Sequence, residues 1–400
     1  MIWSCRGLIR PLRNISFKRW LSTSLYEPQR PGKDDAIYVA MSSGVDSSTV
    51  AALMAQKHGT ANVRGIFMAN WQSTAKCSEA DWNDVQKVCA KIGIACERVN
   101  FEREYWMEVF EPMIELYKAG LTPNPDVGCN RHIKFGSLIQ YLKSKHASNN
   151  RPWWLATGHY ADVQKCTATG EKHLLRPKDL SKDQSYYLSS IDPTALNHIL
   201  FPLAQYSKPE IRGLASQFQL HTAEKPDSQG LCFVSQNHNS FRKFLAEYVE
   251  STPGEVVTEE GKVVGKHEGL WHATIGQRSS ISMPQGDPKY RGSWYVSQKD
   301  IPNNRLIIVK GVDNPSLYSS ALECSNFHWL GQKPTSSNNL TIQYRSLMEP
   351  VPIQDLNESP TESLRVSLQE PCRAIAPGQY LVLYDGRRVL GSGIITANCT

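Results

Sequence analysis

No two of the ten cysteines, at positions 5, 77, 89, 96, 129, 166, 232, 324, 372 and 399, form a C-x-x-C pair. That absence removes support for a zinc ribbon, a thioredoxin-type motif or a metal cluster built on paired thiols. Uninterrupted apolar runs of the roughly 18 residues needed to cross a bilayer are also missing, which argues against a membrane role. Acidic residues are absent before Glu27, although Arg6, Arg10, Arg13, Lys18 and Arg19 precede it. Without those five charges the formal +6 falls to about +1, 39 basic against 38 acidic residues. The net charge therefore does not advertise nucleic acid, and any RNA site must be a local basic patch on a nearly neutral body.

What is present divides the 400 residues into several parts. Residues 1–26 mix five cations with Ile, Leu, Phe, Trp and Ser, the composition of a mitochondrial presequence, with a disordered basic tail as the plain alternative. The expected location is the mitochondrial matrix. In that reducing compartment most thiols are expected to be buried small hydrophobes.

From Ala36 onward strands alternate with helices. Ala36 to Ser43 is an apolar run ending in small residues, and Ser47 to His58 has helical spacing. Val63 to Ala69 and Ala95 to Val99 read as strands, Ser78 to Ile92 and Glu102 to Ala119 as helices, and Trp153 to Thr157 as a further buried strand. This pattern predicts an α/β domain with a parallel sheet covered on both faces, its ligand at the carboxyl ends of the strands. From about Gly254 the texture changes to short alternating segments broken by Gly and Pro, among them Arg305 to Val309, Leu340 to Ile342 and Tyr380 to Tyr384. Such segments predict an all-β region, a small barrel.

Two kinds of loop carry chemistry. Met41-Ser42-Ser43-Gly44-Val45-Asp46-Ser47-Ser48 joins a strand to a helix, where backbone N–H groups and the positive helix end suit phosphate. It lacks the lysine of a Walker loop, and taken alone a plain structural turn explains it equally well. The second kind is polar and ends in a thiol. In Thr122-Pro123-Asn124-Pro125-Asp126-Val127-Gly128-Cys129-Asn130 two prolines are expected to suppress helix and leave Asp126 and Cys129 on one rigid turn. In Lys225-Pro226-Asp227-Ser228-Gln229-Gly230-Leu231-Cys232-Phe233 a similar turn precedes Cys232. A carboxylate beside a thiol raises its pKa, so the pattern by itself leaves chance, a redox pair and a sulfur relay open.

The wording of these blocks resembles known families. The first loop is similar to the S-G-G-x-D-S signature of the ATP pyrophosphatase superfamily, with Ser43 where glycine is usual. If that position needs positive φ, serine carries a cost and glycine would preserve or improve ATP use, unless the hydroxyl is itself needed. The two cysteine blocks, Leu155 to Ala161, Lys182 to Leu188, Gly265-Lys266-His267-Glu268-Gly269 and Thr274-Ile275-Gly276-Gln277-Arg278 resemble, in order, those of the tRNA-specific 2-thiouridylase family over about Ala36 to Ser392.

The resemblance implies an ATP-binding domain over 36–225, a central domain over 226–290 and a C-terminal β-barrel over 291–400 that helps hold tRNA. It assigns Ala40, Met41, Ser42, Ser43, Gly44, Val45, Asp46, Ser47, Met68 and Gly158 to ATP. Asn124, Pro125 and Asp126 would face the target base. Cys129 would be the nucleophile and Cys232 the persulfide carrier, with a disulfide between them after transfer. His159, Lys182, Asp183, Gln184, Tyr344, Arg345 and Gln379 would contact tRNA, although Gln343 stands where the family commonly has Arg. Magnesium would bridge the phosphates, a persulfide donor fed by a cysteine desulfurase would supply sulfur, and the protein would be a monomer. Two other classes share these features: a superfamily synthetase using a nitrogen nucleophile, and an RNA-binding protein that has lost catalysis.

Overall fold

The computed structural model describes residues 25–71, 75–227, 241–283, 286–334, 336, 339–358 and 363–399. Residues 1–24, the bulk of the presequence reading, and the segment carrying Cys232 lie outside them.

The first layer is a five-stranded parallel sheet ordered Ala95–Asn100, Val63–Ala69, Ala36–Met41, Trp153–Ala156, Ile199–Leu200. Period-two alternation along Ala36–Met41 sends Ile37, Val39 and Met41 to one face and Ala36 and Tyr38 to the other, and both faces are buried. Helices Val45–His58, Ala75–Ile92 and Lys208–Gln217 cover the first face through Val50, Ala51, Val85, Val88, Ile211 and Ala215. Phe110, Ile133, Leu138 and Leu142 cover the second, from the helical runs after Phe101 and Asn124. Each fully buried Ile or Leu in these layers contributes about 1.5–3 kcal/mol.

Val63–Ala69 matches its expected span, and the expected Glu102 to Ala119 helix forms with one interruption, a π-helical turn at Trp106–Phe110. Pro112, near the start of the next segment Glu111–Lys118, has no N–H to offer the carbonyl four residues back, and the helix widens just ahead of it.

The region after Gly254 is all-β, as expected, but forms two sheets. Val263–His267, Gly254–Thr258, Arg305–Lys310 and Trp294–Asp300 make the first. The second is a closed barrel running through Arg388–Cys399, Tyr318–Trp329, Leu364–Arg373, Val351–Glu358, Leu340–Gln343 and Tyr380–Asp385, which pairs back onto Arg388–Cys399. Arg305–Lys310, expected with the barrel, instead lies parallel to Gly254–Thr258. Alternation identifies a strand but not its partner, so the change of sheet falls between Lys310 and Tyr318. Leu322, Ile342, Val366, Leu381, Leu383 and Ile395 fill the barrel. A small extension, Tyr26–Pro28, Asp162–Cys166 and Lys172–Leu175, joins the barrel through Leu175 and Arg388, tying the α/β domain to the C-terminal one.

Candidate active site

Ala36–Met41 and Trp153–Ala156 are neighbours whose chain connections leave in opposite directions across the sheet, so a crevice opens beyond their carboxyl ends. Ser42 to Gly44 and Thr157-Gly158 directly follow those carboxyl ends. Gly158 is glycine for contact reasons: a Cβ there would stand 3.0 Å from Asp46 Cβ and 3.0 Å from the Ser47 amide nitrogen. Within the loop the Ser42 amide donates to Ser47 Oγ (3.1 Å), and Ser47 and Ser48 hydroxyls donate to the Gly44 carbonyl (3.2 and 2.8 Å). No side chain caps helix Val45–His58, which leaves its first-turn amides directed at the crevice for an anion. Ala40 and Met68 are partly buried beside this floor, while Met41 and Val45 are buried in it.

The conformational demand falls on Ser43, with φ +59°, whereas Gly44 is extended at φ −83°. A non-glycine residue in the left-handed region costs about 1–2 kcal/mol. The Ser43 hydroxyl offsets part of it, donating to Asp81 Oδ1 (2.5 Å) and accepting from Lys225 Nζ (3.0 Å).

A ring of charge surrounds the loop that sequence reasoning did not assign. Lys208, 9% exposed, reaches both Asp46 oxygens at 2.8 Å and Asp227 at 2.9 Å. Arg212 (2.8 Å) and Lys182 (3.3 Å) also pair with Asp227. Burial works against the Asp227 charge, but Lys208 and Lys182 outweigh it and hold the carboxyl below its ordinary range. Tyr160 donates to Asp46 at 3.1 Å, and burial together with that carboxylate pushes its phenol up. The Ser207/Glu210 capping box is a helix-start pattern, yet nothing in it marks Lys208, the next residue, as the partner of Asp46 and Asp227.

The Asp126/Cys129 segment corrects an expectation. Pro125 does not suppress a helix but opens one, at the first helical position where its missing N–H costs nothing. Asp126 and Cys129, three residues apart, therefore share a helical face. From Cys129 to Ser137 the helix is π-type, and Gly136 permits it: a Cβ there would lie 2.8 Å from the Arg131 carbonyl oxygen. Cys129 is buried; Asp126 is solvent-accessible but enclosed by surrounding protein, which raises its pKa against the opposing charge of Lys134. Asn130, 3% exposed, donates to the Asp126 carbonyl (3.0 Å).

Distant parts of the chain hold the entry to that helix. Gln379 Nε2 donates to the Thr122 carbonyl (2.7 Å), and Asn124 donates to Gln379 Oε1 (3.5 Å). Gly378, φ +96°, packs so closely that a Cβ would meet the Thr122 nitrogen at 2.6 Å. From the central sheet Lys299 donates to the Gly120 carbonyl (2.7 Å), and burial pulls its pKa down to about 8.

The other residues assigned to tRNA divide by accessibility. Lys182 is partly exposed, at 41% for its side chain. Asp183 is buried, accepting from Arg176 (2.6 Å) and the Ser185 amide (2.8 Å), and so braces the segment from beneath. Gln184 accepts from the Tyr160 amide (2.9 Å). His159, packed against Phe135 and Phe201 and bonded to Thr157 (2.8 Å), is held neutral by burial and Lys134. In the barrel Tyr344 is buried with its hydroxyl on the Arg373 carbonyl (3.2 Å), and Arg345 donates to the Ala374 carbonyl (2.6 Å). Gln343 is a satisfied core residue, bonded to Met348 and Tyr384. Cys232 lies outside the described residues.

Three family models match the chain in succession: the tRNA methyl transferase HUP domain over residues 35–236, the tRNA methyl transferase PRC-barrel domain over 242–310 and the aminomethyltransferase beta-barrel domain over 319–395. The chain is 46% identical over 400 residues to mitochondrial tRNA-specific 2-thiouridylase 1 of Saccharomyces cerevisiae, with 94% of this chain and 95% of the relative covered. It is 41% identical over 386 residues to the protein of the same name from Schizosaccharomyces pombe, covering 92% of each. To tRNA-specific 2-thiouridylase MnmA of Limosilactobacillus reuteri it is 42% identical over 366 residues, covering 90% of this chain and 94% of the relative. With full-length relatives at this identity and an uncapped phosphate-type loop beside an Asp126/Cys129 helix, the chain belongs to the tRNA-specific 2-thiouridylase family.

Proposed function

We propose that this protein is a tRNA-uridine 2-sulfurtransferase that exchanges the C2 oxygen of wobble uridine for sulfur at the expense of ATP. One observation carries the reading. Gly158 touches the loop at Asp46 and Ser47, and the next residue, His159, packs its ring 5.7 Å from Phe135 on the helical run that begins with Asp126 and Cys129. Two adjacent residues thus join a phosphate-binding loop to a thiol-bearing helix, which suits a reaction needing both.

Uracil O2 is a poor leaving group, and this gives ATP its purpose. O2 attacks the α-phosphorus, pyrophosphate departs, and an O2-adenylated uridine results. The loop amides and Lys208 favour the charge that develops on the departing phosphates. Among the described residues no group of three or more His, Cys, Asp or Glu converges, so magnesium would be held mainly by the triphosphate with Asp46 as the adjacent carboxylate. Asp126, its pKa raised, is suited to accept or share a proton with the uracil edge. Sulfur comes from a persulfide on Cys232 by one of two routes: its terminal sulfur attacks C2 and displaces AMP, leaving a uridine–S–S–Cys232 disulfide that Cys129 opens by attacking the Cys232 sulfur to free 2-thiouridine, or Cys129 attacks the inner sulfur first and releases hydrosulfide, which then attacks C2. In both routes AMP leaves with the original oxygen, Cys129 and Cys232 end as a disulfide, and a thiol reductant resets them.

We assign residues 36–225, the central sheet through Lys310 and the barrel from Tyr318 to three domains, and residues 1–26 to a mitochondrial presequence directing the chain to the matrix. The acid-free basic N-terminus and the mitochondrial names of the two yeast relatives support this location. No helix among the described residues is long and apolar enough to span a membrane. The protein acts as a monomer on tRNA, with a persulfide donor fed by a cysteine desulfurase. The activity is tested by incubating protein, tRNA, ATP, magnesium and a persulfide donor, then digesting the tRNA for mass spectrometry: 2-thiouridine at the wobble position is expected, and pyrophosphate release without thiolated nucleoside would overturn the assignment. Fusion of residues 1–30 to a reporter tests location, and a cytosolic reporter would remove the presequence.

A further inference from the structure

Two separate links run from the ATP loop to the segment Lys225–Asp227, which in the sequence lies just ahead of Cys232. One is the charge path already described, from Asp46 through Lys208 to Asp227. The other passes through a single hydroxyl. Ser43 Oγ is held by Asp81 (2.5 Å) and receives Lys225 Nζ (3.0 Å), while the same ammonium reaches Asp84 (3.1 Å). Ser43 is 3% exposed and sits at φ +59°, where glycine would be free of strain. A residue held in a costly conformation at a functional loop, with its hydroxyl bonded to two charged partners, calls for a role that glycine could not fill.

We propose that Ser43 is a positioning residue for the sulfur-transfer half of the reaction. Its hydroxyl, fixed by Asp81, anchors Lys225 to the floor of the loop assigned to ATP and so holds Lys225–Asp227, which precede Cys232 in the sequence, beside that loop. This rests on the thiouridylase reading. Ser43 touches neither the target base nor the sulfur; it acts through Lys225.

The consequence concerns how the adenylate is used. An adenylated uridine that meets persulfide yields AMP and thiouridine, whereas one that meets water yields AMP and uridine. If Ser43 holds Lys225–Asp227, five residues ahead of Cys232, for sulfur delivery, its loss shifts the partition toward water. A change confined to ATP binding lowers both products together and leaves their ratio unchanged.

The experiment measures thiouridine formed per AMP released for the full chain and for Ser43→Gly, Ser43→Ala, Lys225→Met and the Ser43→Ala/Lys225→Met double variant. The ratio is expected to fall about threefold to tenfold in each single variant, equivalent to about 0.7–1.4 kcal/mol at about 1.4 kcal/mol per tenfold, and to fall no further in the double variant. Amide hydrogen exchange over residues 222–227, read without ATP or tRNA, is expected to quicken in both Ser43 variants. A wild-type ratio in Ser43→Gly, multiplying effects in the double variant, or unchanged exchange over 222–227 would each overturn the proposal. Wild-type protein that makes AMP but no thiouridine would sink the thiouridylase reading instead, and the exchange result would still decide whether Ser43 anchors the segment.

Discussion

The two ends of the proposed active site are built in different ways. At the ATP end, contiguous residues do most of the work: Ser42, Ser47 and Ser48 bond within a single strand-to-helix turn, and helix amides point into the crevice. At the cysteine end, the strand-less entry Thr122 to Asn124 is gripped by Gln379 and Gly378 from the barrel and, beside it, by Lys299 from the central sheet. One end is a local motif; the other exists only when three domains have assembled. Apart from Ser43, whose hydroxyl faces Lys225, changes at the first should act on ATP, and changes at the second on the placement of Asp126 and Cys129 and hence on turnover.

The largest effect is expected where both ends converge on chemistry. Cys129→Ser should cut thiouridine formation at least about a hundredfold while persulfide still loads on Cys232, and Cys232→Ser should abolish that loading while tRNA still binds. Labelled sulfur followed on protein and on tRNA checks both; wild-type thiouridine from either variant would return that cysteine to an ordinary thiol.

Next comes the contrast between two glycines. Gly378→Ala places a Cβ against the Thr122 nitrogen at positive φ and should cost about 3 kcal/mol or more in denaturant unfolding, with a fall in kcat. Gly158→Ala, crowding Asp46 and Ser47, should instead raise the KM for ATP by about tenfold, a loss of about 1.4 kcal/mol. If the two substitutions produced the same kinetic signature, the division between the ends would fail.

The smallest effect is a pH dependence at the junction. Burial lowers Lys299 from 10.5 to about 8. Between those values the unfolded chain keeps a proton that the folded protein has released, so this residue makes stability rise with pH across that window and costs stability when charged at neutral pH. The slope is at most about 1.4 kcal/mol per pH unit, less for the side chain's partial exposure. Lys299→Met should remove this contribution, seen in urea unfolding as wild-type stability rising relative to the variant from about pH 7.5 to 9.5; a difference independent of pH would show that burial does not shift this amine.

The same contrast explains what was legible beforehand. The parallel sheet, the ATP loop and the Asp126/Cys129 pair were readable because apolar periodicity and motif wording are local. Three things were not. Two prolines around Asn124 suggest a broken helix, although at the first helical position Pro125 is a helix starter. The sheet of Arg305–Lys310 is hidden in the sequence because alternation does not name a strand's partner. Lys208, Lys225 and Lys299 were silent because a lysine's role depends on which carboxylates or carbonyls the fold brings to its tip, here Asp46, Asp84 and the Gly120 oxygen. Ser43 was legible in part: its cost could be foreseen from the position, but its partners Asp81 and Lys225, 38 and 182 residues away, could not.

In the proposed reaction ATP activates O2 so that sulfur can displace it. It is tested most directly with tRNA carrying oxygen-18 at C2 of the wobble uridine, converted by the protein with unlabelled ATP, persulfide donor and water. Breakage of the C2–O bond after adenylation predicts that the label leaves in AMP, one labelled AMP for each 2-thiouridine formed. Label recovered in water, or AMP that stays unlabelled while 2-thiouridine accumulates, would contradict it.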